Sequence, residues 1–542
     1  MTLSIHPRAD QYGPRVAVVD VVGSSTQQDD GDEPLSYADL AARANAHAAR
    51  LADRNVGEGD AVCVVSRNRS ELLELFYACV DRGAILAPIS HRLPADAVET
   101  LRDRIEPALT LYEERFADLV DDALRSGNGA AGSDEGPRSD HDVETLATFT
   151  DSEPSADPDD LERVDRDPDR PLLYLHTGGT TGVPKVVVLP YRQVEWNCIT
   201  EVAAWGLGKE DVSPVLLPLF HTGGWNLLTL PTLYVGGQVV VHREFDPDEV
   251  LASIEEHGAT HVFGVAAIYQ AMAASDRFAE TDFSSVDWLL SGGGPTPDAV
   301  FDAYEERGQR FGQGYGLTEG GPNNIYLDPD RTVDSETRRQ SVGRPFPDCQ
   351  TRIVDADGEP VEPGETGELE IRGPVTADGY LETEDGTFEG KWVSTGDLAR
   401  IDENGDHYIT GRTDNMFVSG GENVYPEEIE DSLSGHEAVA GVGVVGVPHE
   451  KWGTVPKAVV EPVEHGDGAT DGREGPSEGP GEVLEAYCRE HLADFQVPQA
   501  FVFVEELPRS GPGKLDRGEL EAQYGGGGDT SVSADDSGGA DA

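Results

Sequence analysis

At 542 residues and 37 % hydrophobic side chains, the chain is too long for one ordinary core and predicts two or more domains. Acidic residues number 103 against 40 basic ones, a formal net charge of −63, which argues against nucleic-acid binding, since that requires a basic face. Five scattered cysteines without a CxxC pair exclude a disulfide framework or a zinc site and predict reduced thiols in a cytoplasmic protein.

In chain order, the opening MTLSIHPRADQYG has no apolar core, so no signal peptide is expected. LSYADLAARANAHAARLADRNV carries apolar residues at helical spacing behind Ser36, a natural N-cap. DAVCVVS predicts a strand, and ELLELFYACVDRGAILAPI a buried helix, a stop at Gly83 and a further strand. This alternation favours a mostly parallel sheet with helices on its faces. Residues 125–169 turn small, acidic and proline-broken, which predicts an exposed, flexible insertion. Beyond Pro171 the alternation resumes with GQVVVHREF, THVFGVAA and VDWLLSGGG as strands and DPDEVLASIEEHG as a helix. A smaller α+β region follows Gly411, broken by a second acidic spacer at about 464–482 and ending in a Gly/Asp/Ser tail. The expected division is 1–411, 412–523 and a disordered tail at 524–542. No apolar run approaches the ~18 residues of a membrane-spanning helix.

So large a like-charge excess opposes compaction in dilute buffer and is screened in molar salt, where the Debye length falls to about 3 Å. The surface therefore reads as salt-adapted, and its composition resembles that of proteins from salt-accumulating haloarchaea. The alternative is an acidic interaction protein. Only six lysines accompany thirty-four arginines, which makes the position of each lysine informative.

One lysine closes the loop Thr177-Gly178-Gly179-Thr180-Thr181-Gly182-Val183-Pro184-Lys185, set between two β-like runs. Glycines let backbone N–H groups approach phosphate oxygens, threonines add hydroxyl donors, and lysine adds charge. The Walker-type pattern fails here, because Val186 follows Lys185 where Ser or Thr is required and no helix opens.

Four further stretches follow in order: QGYGLTEGGP from Gln313, VSTGDLARID from Val393, ITGRTDNMFVSGGENVYPEEIE from Ile409 and PRSGPGKLDR from Pro508. With the Gly/Thr loop they resemble the acyl-adenylate-forming superfamily, which holds acyl-CoA synthetases, adenylation domains of peptide synthetases and firefly luciferase. The resemblance extends from about Leu35 to Leu520. It implies a large N-terminal multi-sheet α/β domain and a smaller, mobile α+β C-terminal domain.

By that resemblance the loop grips the β/γ-phosphates of ATP through Thr177 to Gly182 and Lys185. Gly293 and Gly294 border adenine, with Gln313, Gly314, Tyr315 and Gly316 completing the nucleotide slot and Tyr315 stacking on the base. Thr318 holds the α-phosphate and Glu319 binds Mg²⁺, which prefers one or two carboxylates plus phosphate oxygens. Asp397 takes the ribose hydroxyls, Arg412 assists at ribose and phosphate, and Asp414 is the hinge. Lys514 stabilises charge as a carboxylate attacks the α-phosphorus. Ser419, Gly420 and Gly421 line a channel for coenzyme A. LPLFHTGGWN at Leu217–Asn226 is similar to the segment that borders the acyl pocket, which places His221 and Trp225 there.

The implied enzyme is an AMP-forming acid–thiol ligase using ATP, Mg²⁺ and coenzyme A, with a medium- or long-chain fatty acid as substrate. Aryl or o-succinylbenzoyl acids are the runners-up, and a standalone enzyme loading a carrier protein is a further alternative. No carrier domain is read after Lys514, which favours a free acceptor. A homodimer is compatible with this reading.

Overall fold

Ser36 caps as its position predicts. Its hydroxyl accepts the Asp39 amide at 3.1 Å and its own amide donates to the Asp39 carboxylate at 3.0 Å, closing a capping box over the helix Tyr37–Asp53. The predicted strand and helix–stop–strand run appear as Ala61–Val65, Ser70–Arg82, Gly83 and Ile85–Ile89. The computed structural model describes residues 2–22, 34–126, 143–158, 161–177, 184–329, 339–382, 387–388, 392–419, 422–436, 438–449, 451–463, 480–493, 495–510 and 514–526.

Among the described residues the chain divides into two compact units. The first comprises Met1–Gly364, Leu369–Thr395 and Ile401–Tyr408; the second comprises Glu365–Glu368, Gly396–Arg400 and Ile409–Ala542.

The first unit is layered α/β. One sheet runs Gly379–Tyr380, Lys185–Pro190, Pro171–Thr177, Ile85–Ile89, Ala61–Val65, Leu109–Tyr112 and Val143–Thr145 in spatial order. Its strands are parallel from Pro171–Thr177 onward and antiparallel at the Lys185–Pro190 edge. A second sheet sets His261–Gly264, Trp288–Gly292 and Phe311–Leu317 parallel, then turns antiparallel through Gly321–Leu327 and Arg344–Pro345. A third sheet pairs Val16–Val21 with Leu35–Ser36 on one side and Gln238–His242 on the other. Parallel strands buried on both faces read as continuous apolar runs, which is why AVCVV and ILAPI are buried throughout.

The exposed insertion expected at 125–169 needs correction. Val143–Thr145 pairs with Leu109–Tyr112 as an edge strand, and Thr145 caps the helix Leu146–Asp151. Leu146 and Phe149 are fully buried, and Arg54 lies over the Phe149 ring while its guanidinium pairs with Glu144. Averaging composition over the acidic segment concealed one apolar pair at i,i+3 spacing. Residues 127–142 lie outside the described residues.

The second unit is α+β. The apolar stretch after Ala438 forms a long hairpin, Val439–His449 against Gly453–Pro462, with Val444 opposite Ala458. Phe417–Ser419 extends it on one side and Ala500–Phe503 joins in parallel. The helices Pro426–Ser434 and Pro480–His491 contribute Ile429, Leu433, Leu484 and Cys488 to the core of this unit. No helix among the described residues is long and apolar enough to cross a membrane.

Candidate functional site

Thr177 and Lys185 are the facing residues that open and close the antiparallel pair Pro171–Thr177 and Lys185–Pro190. The sheet therefore holds both ends of the Gly/Thr loop, while Gly178, Gly179, Thr180, Thr181 and Gly182 lie outside the described residues. Lys185 Nζ sits 4.7 Å from the centroid of the Tyr380 ring, within range of a cation–π attraction. The Tyr380 hydroxyl in turn donates to Glu319 Oε1 at 2.8 Å. The structure thus joins the loop lysine to the expected Mg²⁺ carboxylate through a tyrosine that the sequence reading did not single out. Gly379–Tyr380 reaches this place by pairing with Val187 and Val188, a long-range contact with no local signature.

Glu319 is largely buried in a short 3₁₀ turn, Thr318–Gly320, where the Thr318 carbonyl accepts from Gln193 Nε2 at 3.3 Å. Just before it, the chain folds back on itself. A Cβ at Gly316 would lie 1.7 Å from the Pro322 carbonyl oxygen, so only glycine fits. Gly314 pairs with Gly292 on one side and Tyr326 on the other, and Tyr315 faces Ile325. Gly293 follows at φ +79°, and a Cβ at Gly294 would meet nothing within 4 Å. These glycines occupy the C-terminal ends of parallel strands, the edge at which open α/β sheets bind ligands. A nucleotide base would find backbone edges, Tyr315 and open space here. Gln313 stands apart from that slot. Its side chain is buried and donates to the carbonyls of Arg339 and Ser341, the latter at 2.9 Å, so it braces the strand.

His221 precedes the short helix Thr222–Asn226 and lies 6.3 Å from His176, ring to ring, with Phe220 against both. Burial pushes His221 down to about 4, with the Arg92 charge adding to the effect, and pushes His176 down to about 3. Both imidazoles are neutral near pH 7. His176 Nε2 accepts the Ser90 amide at 3.1 Å, which places its proton on Nδ1. A neutral His221 can hydrogen-bond a carboxylate but cannot offset its charge. Leu216, Leu217, Gly223, Leu227 and Phe263, on and beside this segment, line a small crevice with room for little more than one water molecule. Trp225, expected at the acyl pocket, is fully buried beside Phe76, ring centroids 5.4 Å apart, with its indole N–H satisfied by the Leu219 carbonyl. The position is packed core.

In the second unit, Arg412 Nη1 donates to Asp397 Oδ1 at 2.7 Å, and Arg412 Nη2 lies 3.8 Å from Asp414. Three residues drawn from two separate motifs thus meet. The Thr413 hydroxyl fixes the turn by donating to the Gly396 carbonyl at 3.0 Å. Ser419 is buried at the end of Phe417–Ser419, and Gly420 and Gly421 lie outside the described residues. Lys514 begins the two-residue strand Lys514–Leu515, its backbone opposite Ser510. Arg517, three residues on, pairs with Glu430 at 3.0 Å and Glu427 at 3.1 Å.

The AMP-binding enzyme family matches residues 5–381, and its C-terminal domain matches residues 428–514. The chain belongs to the AMP-binding enzyme family. Feruloyl-CoA synthase from an Amycolatopsis species is 34% identical over 498 residues, covering 91% of this chain and 95% of the relative. Indoleacetate–CoA ligase from Aromatoleum aromaticum is 33% identical over 495 residues, covering 90% and 93%. Among solved structures, o-succinylbenzoate CoA synthetase from Bacillus subtilis in complex with its acyl-adenylate OSB-AMP superposes with a TM-score of 0.81 at 26% identity, covering 96% and 98%. The expected fold, a large α/β part followed by a smaller α+β part, is that of this family.

Proposed function

We propose that this chain, an AMP-forming acid–thiol ligase, joins a small aromatic carboxylic acid to coenzyme A through an acyl-adenylate. The observation that carries the acid class is the likeness, over nine-tenths of the chain, to relatives named for ferulate and indoleacetate. Of the two acid classes expected from the sequence, the aromatic one is therefore preferred to the fatty one.

In the first half-reaction a carboxylate oxygen attacks the α-phosphorus of ATP, forming the acyl–phosphate bond as the bond to pyrophosphate breaks. In the second, the thiolate sulfur of coenzyme A attacks the acyl carbon and AMP departs, leaving a thioester. Neither step needs a covalent bond to protein, so positioning and charge stabilisation carry both. The loop Thr177–Lys185 receives the terminal phosphates, and Tyr315, Gly293 and Gly294 receive the base. Thr318 contacts the α-phosphate, and Asp397 and Arg412 meet the ribose. Glu319, oriented by Tyr380, is the carboxylate suited to Mg²⁺, which when bound offsets phosphate charge. Lys514 serves the first half-reaction and Ser419–Gly421 the second, exchanged by rotation at Asp414.

The test is AMP formation in molar KCl with ferulate, indoleacetate, o-succinylbenzoate and fatty acids of graded length, with and without coenzyme A. Aromatic acids are expected to exceed fatty acids in kcat/KM by at least about tenfold, with AMP release dependent on coenzyme A. A preference for fatty acids would reverse the acid class. Pyrophosphate release indifferent to coenzyme A would indicate carrier loading.

Tyr380→Phe removes the bond to Glu319 and keeps the ring beneath Lys185. A hydrogen bond to a charged group contributes about 1.5–3 kcal/mol, so the Mg²⁺ concentration for half-maximal activity should rise roughly tenfold or more. Unchanged Mg²⁺ dependence would remove Tyr380 from the site.

A further inference from the structure

Leu228, which follows the His221 segment, holds φ +65° and ψ −35°, a conformation rare for any residue but glycine. Across it the Thr229 amide closes on the Leu227 carbonyl at 2.9 Å, making a γ-turn of the strained hand. Leu228 is 1% exposed, so water does not hold this turn. Its amide instead donates to Glu201 Oε2 at 3.4 Å.

Glu201 is fully buried in the helix Tyr191–Trp205. Its Oε1 accepts from Asn323 Nδ2 and from Asn197 Nδ2, the latter at 3.4 Å. Asn323 also donates to Asn197 Oδ1 at 3.0 Å, and Asn197 donates to the Asn226 carbonyl at 2.6 Å. One carboxyl therefore touches two functional segments. Leu228 stands two residues beyond Asn226, the end of the segment that carries His221, and the Asn226 carbonyl belongs to the same network. Asn323 lies on Gly321–Leu327, the strand that leaves the Thr318–Glu319 turn directly.

No ion pair to Glu201 occurs among the described residues. Its titratable neighbour is the Cys198 thiol on the same helix, itself pushed up by burial; Asn226, Leu228 and Asn323 face it from the other elements and carry no charge. Burial pushes the Glu201 carboxyl well above the usual carboxylate range. The neutral acid keeps a proton to donate, and Asn226 Oδ1, buried in the same network, is an acceptor without a donor among the described residues.

We propose that Glu201 is a positioning residue for acid selection: by holding the Leu228 turn and Asn323 in one buried network, it fixes the segment that carries His221 relative to the Thr318–Glu319 turn. This rests on the ligase reading in taking the His221 segment as a border of the acid site.

The test compares wild type with Glu201→Gln, Glu201→Asp and Glu201→Ala on slim and bulky aromatic acids. Glu201→Gln mimics the neutral acid and should keep wild-type selectivity within about twofold. Glu201→Ala should change the bulky-to-slim ratio of kcat/KM by at least about tenfold through the KM for the acid, leaving the KM for ATP within roughly threefold. If Glu201→Ala does not fold, Glu201→Asp, which withdraws the carboxyl by one methylene, should shift the ratio in the same direction. Equal losses for every acid, or failure of Glu201→Gln to preserve selectivity, would overturn the proposal and leave the ligase reading intact. A wild type inert to every acid would overturn the ligase reading and this inference with it.

Stability gives a readout free of activity. Above about pH 4.3 the unfolded glutamate ionises while the folded one stays protonated, so the wild type loses stability relative to Glu201→Gln as pH rises. The expected slope is about tenfold in the unfolding constant per pH unit. A pH-independent difference would overturn the assignment of a neutral acid.

Discussion

Lys514→Ala is expected to slow adenylate formation by about 10²–10³-fold, the loss typical of removing one preorganised donor from a developing oxyanion. Thioester formation from supplied acyl-adenylate and coenzyme A should stay within roughly threefold of wild type, because the proposed role of Lys514 is confined to the attack on the α-phosphorus. The fold gives the lysine a fixed base. Lys514 starts a short strand paired with Arg509–Ser510, Asp516 caps the helix Arg517–Tyr524 by accepting the Glu519 amide at 3.0 Å, and Arg517 is held by Glu427 and Glu430. Pyrophosphate exchange measures the first half-reaction, and thioester formation from synthetic adenylate measures the second. Equal loss in both would make Lys514 a structural residue. No loss in either would remove it from the chemistry and weaken the reading of the second unit as a catalytic partner.

Legibility followed the distance over which each signal acts. The Ser36 cap, the stop at Gly83 and the strands around the Gly/Thr loop are set by neighbouring residues, and each stood in the sequence. Asp397 and Arg412 stand in two separate motifs, each expected at the ribose, but their direct pairing has no signal along the sequence. Tyr380 escaped because it meets Lys185 and Glu319 only after Gly379–Tyr380 adds to a distant strand edge. Glu201 escaped for another reason: on a helix a glutamate reads as a solvent-facing residue, and only the packing shows it closed off by Asn323 and Leu228. Gln313 and Trp225 show the converse. Their motif positions assigned them to ligands, whereas in the fold Gln313 Nε2 donates to backbone carbonyls, and Trp225 is buried beside Phe76 with its indole N–H on the Leu219 carbonyl. The boundary expected at residue 412 could not show that Glu365–Glu368 and Gly396–Arg400 group with the later chain, because such interleaving has no signal along the sequence.

Raising KCl from 0.1 M to 2 M is expected to increase the midpoint of thermal unfolding by roughly 5–10 °C. If every basic residue paired with one acid, 103 − 40 = 63 carboxylates would still lack a basic partner. Two carboxylates ~8 Å apart at a wet surface repel by about 0.5 kcal/mol before screening, about 0.2 at 0.1 M salt and almost nothing at 1 M. A few tens of such neighbours sum to several kcal/mol, on the scale of the ~5–15 kcal/mol net stability of a folded domain. The unfolded chain relieves the same repulsion by expanding, so the penalty falls on the compact state. Salt also weakens the exposed attractive pairs, such as Arg412 with Asp414, but not every pair is exposed. Arg67 with Glu113 and Arg517 with Glu430 are mostly buried and lose less to screening than the exposed carboxylates gain. The rise should follow ionic strength, so a smaller concentration of a divalent salt should match it, whereas sucrose stabilises by exclusion and should not remove the charge dependence. Lowering the pH towards 5 should reduce the salt requirement by protonating part of the excess. A midpoint that stays flat or falls with KCl would show that the acid surface is not a salt adaptation and would favour a face made to meet a basic partner.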